Sequence, residues 1–484
     1  MTPFKPTNQP LPPRRTKIVA TVGPASQSAE KLRELILAGV NVFRLNFSHG
    51  SHEIHSTSLK TIRAVSDELG MPVAVLQDLS GPKIRISEVE GEYAPIEDGK
   101  ELILRPANGT KSTGSVVYVE TLNPIEILKP GELILMADGI ISLTALKVSN
   151  DGVVCKIVKG GRIRSRVGIA FPDSAVSLPA TTKKDLKDLD WGIEHKIDYV
   201  AISFVQNAAD INLLRDRMKS QGTDIPIIAK IERKSALDNI DEIVDAADGL
   251  MVARGDLGLE LPIERLPRLQ KALIEAGNSR GIPVIVATQM LHSMITSIRP
   301  TRAEVSDVAT AVMSGADAVM LSEETTIGDN PVNCVEFLDK IARDAEQTFM
   351  FEEYKLRLRD QDRSAVSDAV AYAACAAALK VGANALIACT ETGTSARLLA
   401  KYRPQQSLYA VSSREETLRR VSLYWGVHPI RCHASSTHSD EFEAAIAVVQ
   451  KRDNLSAGAR AVVTGGLQVK TPGATSIMEI KEIR

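Results

Sequence analysis

Arg44, Lys230, Glu232 and Asp256 each lie in or just after a short apolar run, and together they supply two cations and two carboxylates. Two carboxylates can hold a hard divalent cation that keeps several waters and meets substrate oxygens, which is the habit of Mg²⁺. An Arg and a Lys can neutralise a transferring phosphoryl group, a reaction that needs positioning and charge balance more than covalent help. Arg44 stands in Arg44-Leu45-Asn46-Phe47-Ser48-His49. A guanidinium cannot shed its charge, so in an apolar strand it must find an anion, either a substrate or a structural carboxylate. Two-residue alternation puts Lys230 and Glu232 of Ile227-Ile228-Ala229-Lys230-Ile231-Glu232 on one face of a strand. A plain ion pair between them is the alternative to a metal site. In Met251-Val252-Ala253-Arg254-Gly255-Asp256, the Gly255 region offers backbone amides that a Cβ would crowd, suited to a carboxylate or phosphate. Asp78, Thr288 and the run Ser322-Glu323-Glu324 close three further apolar stretches. No Walker P-loop or protein-kinase motif set is present, and Ser48 with His49 lacks a G-x-S-x-G setting.

Elements that could bring these residues together recur along the chain. Apolar, β-branched runs fall at residues 17–22, 42–47, 73–78, 199–205, 225–232, 249–256, 283–290 and 318–322. Most are continuous rather than alternating, as in a parallel sheet buried on both faces. Helical spacing between them, as at residues 29–38, 263–279 and 303–314, predicts a closed (β/α)₈ barrel, whose active sites lie at the C-terminal ends of its strands. Residues 86–177 are punctuated by Gly and rich in strand patterns, which predicts a β-barrel lid domain inserted in a βα-loop. The catalytic barrel then comprises residues 15–85 and 178–350, close to the roughly 250 residues typical of the fold. After a charged helix ending near Arg363, residues 351–484 restart the α/β alternation, with final strands at 460–464 and 476–483, and read as a C-terminal regulatory domain.

Composition narrows the partners. A net charge of −2 gives no broad basic field for nucleic acid or anionic membrane. No apolar run approaches the roughly 20 residues needed to span a bilayer. Residues 1–14 are Pro-rich without a signal-peptide pattern, so a flexible tail and a cytoplasmic location are expected. Cys155, Cys334, Cys375, Cys389 and Cys432 have no metal-ligand spacing and read as reduced thiols.

Several motifs in a fixed order carry a resemblance. They are Ala20-Thr21-Val22-Gly23-Pro24-Ala25-Ser26 and residues 43–50, 229–232, 251–258, 287–291, 300–309 and 318–322. After about residue 15 the chain resembles the pyruvate kinase family over essentially its whole length. The resemblance implies Mg²⁺ or Mn²⁺ on Glu232 and Asp256, with Arg44 and Lys230 on the phosphoryl group of phosphoenolpyruvate. Lys230 would also stabilise the enolate. Backbone amides of Gly255 and Asp256 would hold the substrate carboxylate, and Thr288 would belong to the relay that protonates enolpyruvate. ADP or ATP would lie near Thr21, Pro24, His49 and Arg85, met by Asp138 of the inserted domain, and pyruvate would be the product. A homotetramer is the usual assembly of that family.

A second site is read at Thr390, Thr392, Gly393, Thr394 and Ser395, where hydroxyls, a Gly and a helix N-terminus form an anion cradle. Ordinary helix capping is the alternative. The resemblance implies that a phosphorylated allosteric effector binds there.

Departures from the family pattern bear on function. Val167-Gly168-Ile169-Ala170-Phe171-Pro172-Asp173 lacks the usual leading lysine, although Arg164 and Arg166 are near. Ser322-Glu323-Glu324 and Ala309-Thr310 also differ. In K⁺-dependent members, ligands matching Asn46, Ser48, Asp78 and the backbone of Leu79 hold the ion. Such members carry Thr-Lys, Glu and Thr where this chain has Leu79-Ser80, Lys83 and Ile86. A tethered ammonium on Lys83 would supply the charge of K⁺, so K⁺ independence is expected; a surface lysine at a hinge is the alternative. Two other functions are weighed: a Mg²⁺-dependent 2-oxo-acid lyase or aldolase, and a catalytically silent metabolite binder. A coupled assay for pyruvate and ATP separates all three.

Overall fold

The computed structural model describes residues 12–174, 178–349, 351, 354, 365–433, 437–466 and 475–483. Eight parallel strands close a barrel: Lys17–Thr21, Val42–Asn46, Ala74–Asp78, Tyr199–Ile202, Ile227–Ile231, Gly249–Ala253, Val284–Ala287 and Ala318–Leu321. Each pairs with its neighbours in chain order, and the last returns to the first through Lys17↔Ala318. Seven of the eight are buried at every position; only Val42–Asn46 exposes part of Arg44 and Asn46. Continuous β-branched sequence suits a strand covered by side chains on one face and helices on the other.

The outer helices begin where local chemistry starts them. Thr182 with Asp185, Asn207 with Asp210 and Thr301 with Glu304 form reciprocal capping boxes, each satisfying first-turn amides. Helix His52–Leu69 ends on Gly70 at φ 61°, a left-handed cap that glycine adopts without strain.

Three predicted strands end three residues early, one of them at Ile202 instead of 205. The run expected to 256 stops at Ala253, because helix Arg254–Glu260 begins there with Asp256 in its first turn. The run expected to 290 stops at Ala287, since Thr288 and Gln289 take left-handed backbone at φ 73° and 55°.

Within residues 86–177, six strands form one sheet, in the order Ile169–Ala170, Leu133–Met136, Ile141–Ser149, Gly152–Lys159, Glu101–Pro106 and Val116–Val119. Gly161–Ile163 and Ala94–Ile96 form a separate two-stranded ladder, so the expected small barrel is open among the described residues.

The C-terminal sheet runs Val427–Arg431, Ser407–Ser412, Ala385–Cys389, Arg460–Gly466 and Thr475–Glu482, with only the last strand antiparallel. Most of the expected N-terminal tail and of the charged helix ending near Arg363 lies outside the described residues. Arg403, 2% exposed, joins the C-terminal region to the barrel floor. It donates to Asp317 Oδ1 at 2.7 Å, Gly315 O at 2.9 Å and Asn278 Oδ1 at 3.0 Å.

Candidate active site at the barrel mouth

Asp78, 1% exposed at the end of the third barrel strand, is the hub of the mouth. Its Oδ2 accepts from Arg44 Nε at 2.7 Å, and its Oδ1 faces Lys230 Nζ at 3.2 Å. Lys230 continues the chain of charge to Glu232 Oε1 at 2.9 Å and donates to Ser203 Oγ at 2.7 Å. Burial alone would raise the Asp78 carboxyl, but Lys230 and Arg44 outweigh it and hold the group below its ordinary range. Burial would likewise strip Lys230 of its proton; Asp78 and Glu232 reverse that, and the ammonium persists. Burial pulls Glu232 upward against Lys230, and the like charge of Asp256 adds to the rise. Both structural alternatives read from sequence therefore exist in the geometry: Arg44 has a carboxylate partner, and Lys230 pairs with Glu232. Each cation keeps about 11% of its side chain exposed.

A cavity of about 470 Å³ opens between these strand ends and the inserted sheet, lined by Lys83, Asp138, Glu232 and Asp256 among others. Lys83 Nζ lies 3.1 Å from Asp256 Oδ1, which places the expected tethered ammonium on a proposed metal carboxylate. Glu232 Oε2 accepts from the Phe204 amide at 2.7 Å. Among the described residues no group of three or more His, Cys, Asp or Glu is poised for a metal. Two carboxylates on one cavity nonetheless fit an ion such as Mg²⁺, which keeps waters and takes its remaining ligands from substrate.

Gly255 and Thr288 meet across the mouth. The Gly255 amide donates to Thr288 Oγ1 at 3.1 Å, and a Cβ on Gly255 would stand 2.9 Å from Thr288 Cγ2. Only glycine allows that approach.

The expected nucleotide residues spread over one side. Thr21 is buried, giving its hydroxyl to Leu321 O at 2.8 Å and accepting from Arg44 Nη1 at 3.1 Å, so it supports Arg44 from below. Pro24 lies in the turn after the first strand. Burial, with Arg85, Arg44 and Lys83 nearby, pushes His49 below its ordinary pKa, leaving it neutral at pH 7. Arg85 bonds Arg166 O at 2.9 Å, and Asp138 sits at φ 53° on the cavity wall. Of the expected monovalent-cation set, Asn46 Oδ1 accepts from the Ser48 amide at 3.1 Å, and Leu79 O accepts from Ser203 Oγ at 2.7 Å. Val167 packs against the core of the inserted sheet.

Ser203 and Lys184 were missed. Ser203 follows the fourth barrel strand directly, and the polar-at-strand-end rule that found Asp78 would have found it. Lys184 bonds Phe47 O at 2.8 Å and Asp188 Oδ2 at 2.5 Å; its i,i+4 spacing to Asp188 was the available signal.

The loop at residues 390–395 closes on itself. Thr390 Oγ1 accepts from the Gly393 amide at 2.9 Å, Thr392 and Thr394 hydroxyls meet at 3.0 Å, and Ser395 Oγ reaches Thr475 Oγ1 at 2.5 Å. Gly393, at φ 92°, occupies the cap of helix Thr394–Lys401 without a side-chain cap bond.

Charges focused at the strand ends of a closed barrel, under an inserted sheet, define an enzyme that works on anionic substrates. Comparison with known proteins makes this specific. A family described as "Pyruvate kinase, barrel domain" matches residues 13–335, and "Pyruvate kinase, alpha/beta domain" matches 368–481. "Pyruvate kinase 2" of Synechocystis sp. is 41% identical over 478 residues, 98% of this chain and 80% of that protein. "Pyruvate kinase" of Staphylococcus aureus strain MRSA252 is 39% identical over 474 residues, 96% of this chain and 80% of its own length. The chain belongs to the pyruvate kinase family, and it is an enzyme, a phosphotransferase of that activity.

Proposed function

We propose that the barrel mouth is where this chain transfers the phosphoryl group of phosphoenolpyruvate to ADP, giving pyruvate and ATP. The observation that carries the placement is the continuous charge chain Arg44–Asp78–Lys230–Glu232, whose Glu232 end opens with Asp256 onto one cavity. Arg44 and Lys230 face the transferring group, and Lys230, kept protonated, stabilises the enolate left behind. Gly255 and Asp256 amides, in the first turn of a helix, hold the substrate carboxylate, the Gly255 N–H turning to it from Thr288 Oγ1. The Thr288 hydroxyl works the proton. Glu232 and Asp256 would hold Mg²⁺ or Mn²⁺, which would supply charge neutralisation for the substrate. ADP lies on the side of Pro24, His49 and Arg85, with Asp138 facing it; Thr21 acts through Arg44. A coupled assay for pyruvate and ATP, run with Asp256→Asn beside the native chain, tests the placement; equal turnover in the two would remove it.

Three finer readings belong to the same proposal. Lys83 replaces a monovalent cation, supported by its ammonium standing in the mouth itself. A phosphorylated effector binds the hydroxyl loop at Thr390–Ser395, supported by a left-handed Gly393 that leaves the helix N-terminus without a side-chain cap. The enzyme works in the cytoplasm as a homotetramer, by likeness to its family; no described helix is long and apolar enough to cross a membrane.

A further inference from the structure

Thr288 is β-branched and sits at φ 73°, followed by Gln289 at φ 55°. Two successive left-handed non-glycine residues cost free energy, so surrounding structure must hold them in place. Arg254 does the holding. From the first turn of helix Arg254–Glu260, its Nη2 donates to Thr288 O at 2.6 Å and its Nε to Ala287 O at 3.2 Å. Its Nη1 donates to Asp307 Oδ2 at 2.5 Å and to Gln270 Oε1 at 3.3 Å. The planar guanidinium thus spans two consecutive carbonyls of the strained turn, while Asp307, on helix Arg302–Met313, fixes its far edge. The next residue along from Arg254 is Gly255, whose amide holds the Thr288 hydroxyl. One short segment therefore grips Thr288 by both backbone and side chain.

We propose that Arg254 and Asp307 form a positioning pair that keeps the Thr288 hydroxyl aligned for the proton step, with little part in binding phosphoenolpyruvate. The inference rests on the reading of Thr288 as a member of the proton relay. In that step a relay O–H bond breaks and its proton goes to C3 of the enolate, the C2=C3 pair forms the new C–H bond, an oxygen lone pair closes the C2 ketone, and the donor regains a proton from solvent through the relay.

Two reactions separate positioning from general damage. Uptake of solvent deuterium into the methyl group of pyruvate, followed by NMR with Mg²⁺ and ATP present, reads the proton step. ATP formation from phosphoenolpyruvate and ADP, read by glucose phosphorylation, reads phosphoryl transfer. Arg254→Lys keeps the charge but loses the fork, and deuterium uptake should fall about tenfold more than ATP formation, the scale on which small misplacements act. KM for phosphoenolpyruvate should stay nearly unchanged. Asp307→Asn should shift the same ratio less, and it serves if Arg254→Lys does not fold. Equal losses in both reactions, or no loss in either, overturn the proposal. Thr288→Val distinguishes the two layers. Uptake that survives Thr288→Val brings down the relay reading and this inference with it. Uptake lost in Thr288→Val but retained in Arg254→Lys and Asp307→Asn brings down the positioning pair alone.

Discussion

The barrel mouth and the loop at residues 390–395 are both suited to anions, yet they are built from opposite materials. The mouth uses formal charges, with Asp78 buried between Arg44 and Lys230 at the ends of strands locked in a closed sheet. The loop uses neutral hydroxyls that bond one another beside a helix N-terminus. Buried charges cannot be left unpaired, so each one at the mouth depends on its neighbours. Hydroxyls can exchange partners cheaply, so the loop can be empty or filled at little cost. The first arrangement suits a step whose charges must already be in place, and the second suits a signal that comes and goes.

The hardest blow to the mouth is Lys230→Met. It leaves Asp78 and Glu232 as buried carboxylates without their shared cation, and breaking such a set costs about 3–5 kcal/mol of stability. Turnover should be lost together with a marked drop in the urea midpoint. A variant that kept its midpoint would mean the charges are not interlocked.

Asp256→Asn should be gentler on the fold, because that side chain is 28% exposed and its one ion pair among the described residues is with Lys83. Turnover should nevertheless fall by several kcal/mol of transition-state stabilisation at ordinary Mg²⁺. Circular dichroism and thermal melting should match the native chain. Near-native kcat would remove Asp256 from the metal site.

Smaller effects belong to the loop. A sugar phosphate or nucleoside monophosphate should lower the apparent KM for phosphoenolpyruvate with a coupling of about 1–3 kcal/mol. Thr392→Glu places like charge in the cradle and should erase that response while leaving effector-free kinetics alone. A response that persists moves the effector elsewhere.

Least change of all is expected when native enzyme is assayed without Na⁺ or K⁺, using an organic counter-cation and Mg²⁺. Turnover should match that in K⁺, because Lys83 already carries a fixed positive charge into the mouth. Lys83→Glu should then lower activity and create partial K⁺ dependence. Strong K⁺ activation of the native chain would refute the tethered cation.

The barrel is legible because its strands are apolar on both faces, as in Ile227-Ile228-Ala229, and eight such runs alternate with helical spacing. Glu232 and Lys230 could be placed on one face by alternation alone. What escaped depends on backbone angles and distant partners. Left-handed backbone at Thr288 leaves no mark in composition, so the apolar pattern runs past the true end of the seventh strand. Asp78 reads as a cation ligand, and its pairing with Lys230 requires knowing that the third and fifth strands flank the fourth and end at the same mouth. In the C-terminal sheet, Val427–Arg431 reads Val-His-Pro-Ile-Arg, half-buried and interrupted by Pro, and it gave no strand signal. Helix His438–Asp453 was likewise not anticipated.

Arg403 has a consequence for how the molecule responds to heat. Its guanidinium belongs to the C-terminal region, while Asp317, Asn278 and Gly315 belong to the barrel floor. Peeling the C-terminal region away would strand a buried carboxylate on one side and a buried guanidinium on the other, which makes partial unfolding expensive. The two parts should therefore melt together against the multi-domain norm: a calorimetric scan is expected to show one endotherm whose van't Hoff enthalpy equals the calorimetric one, and two separated endotherms would show that Arg403 does not couple them.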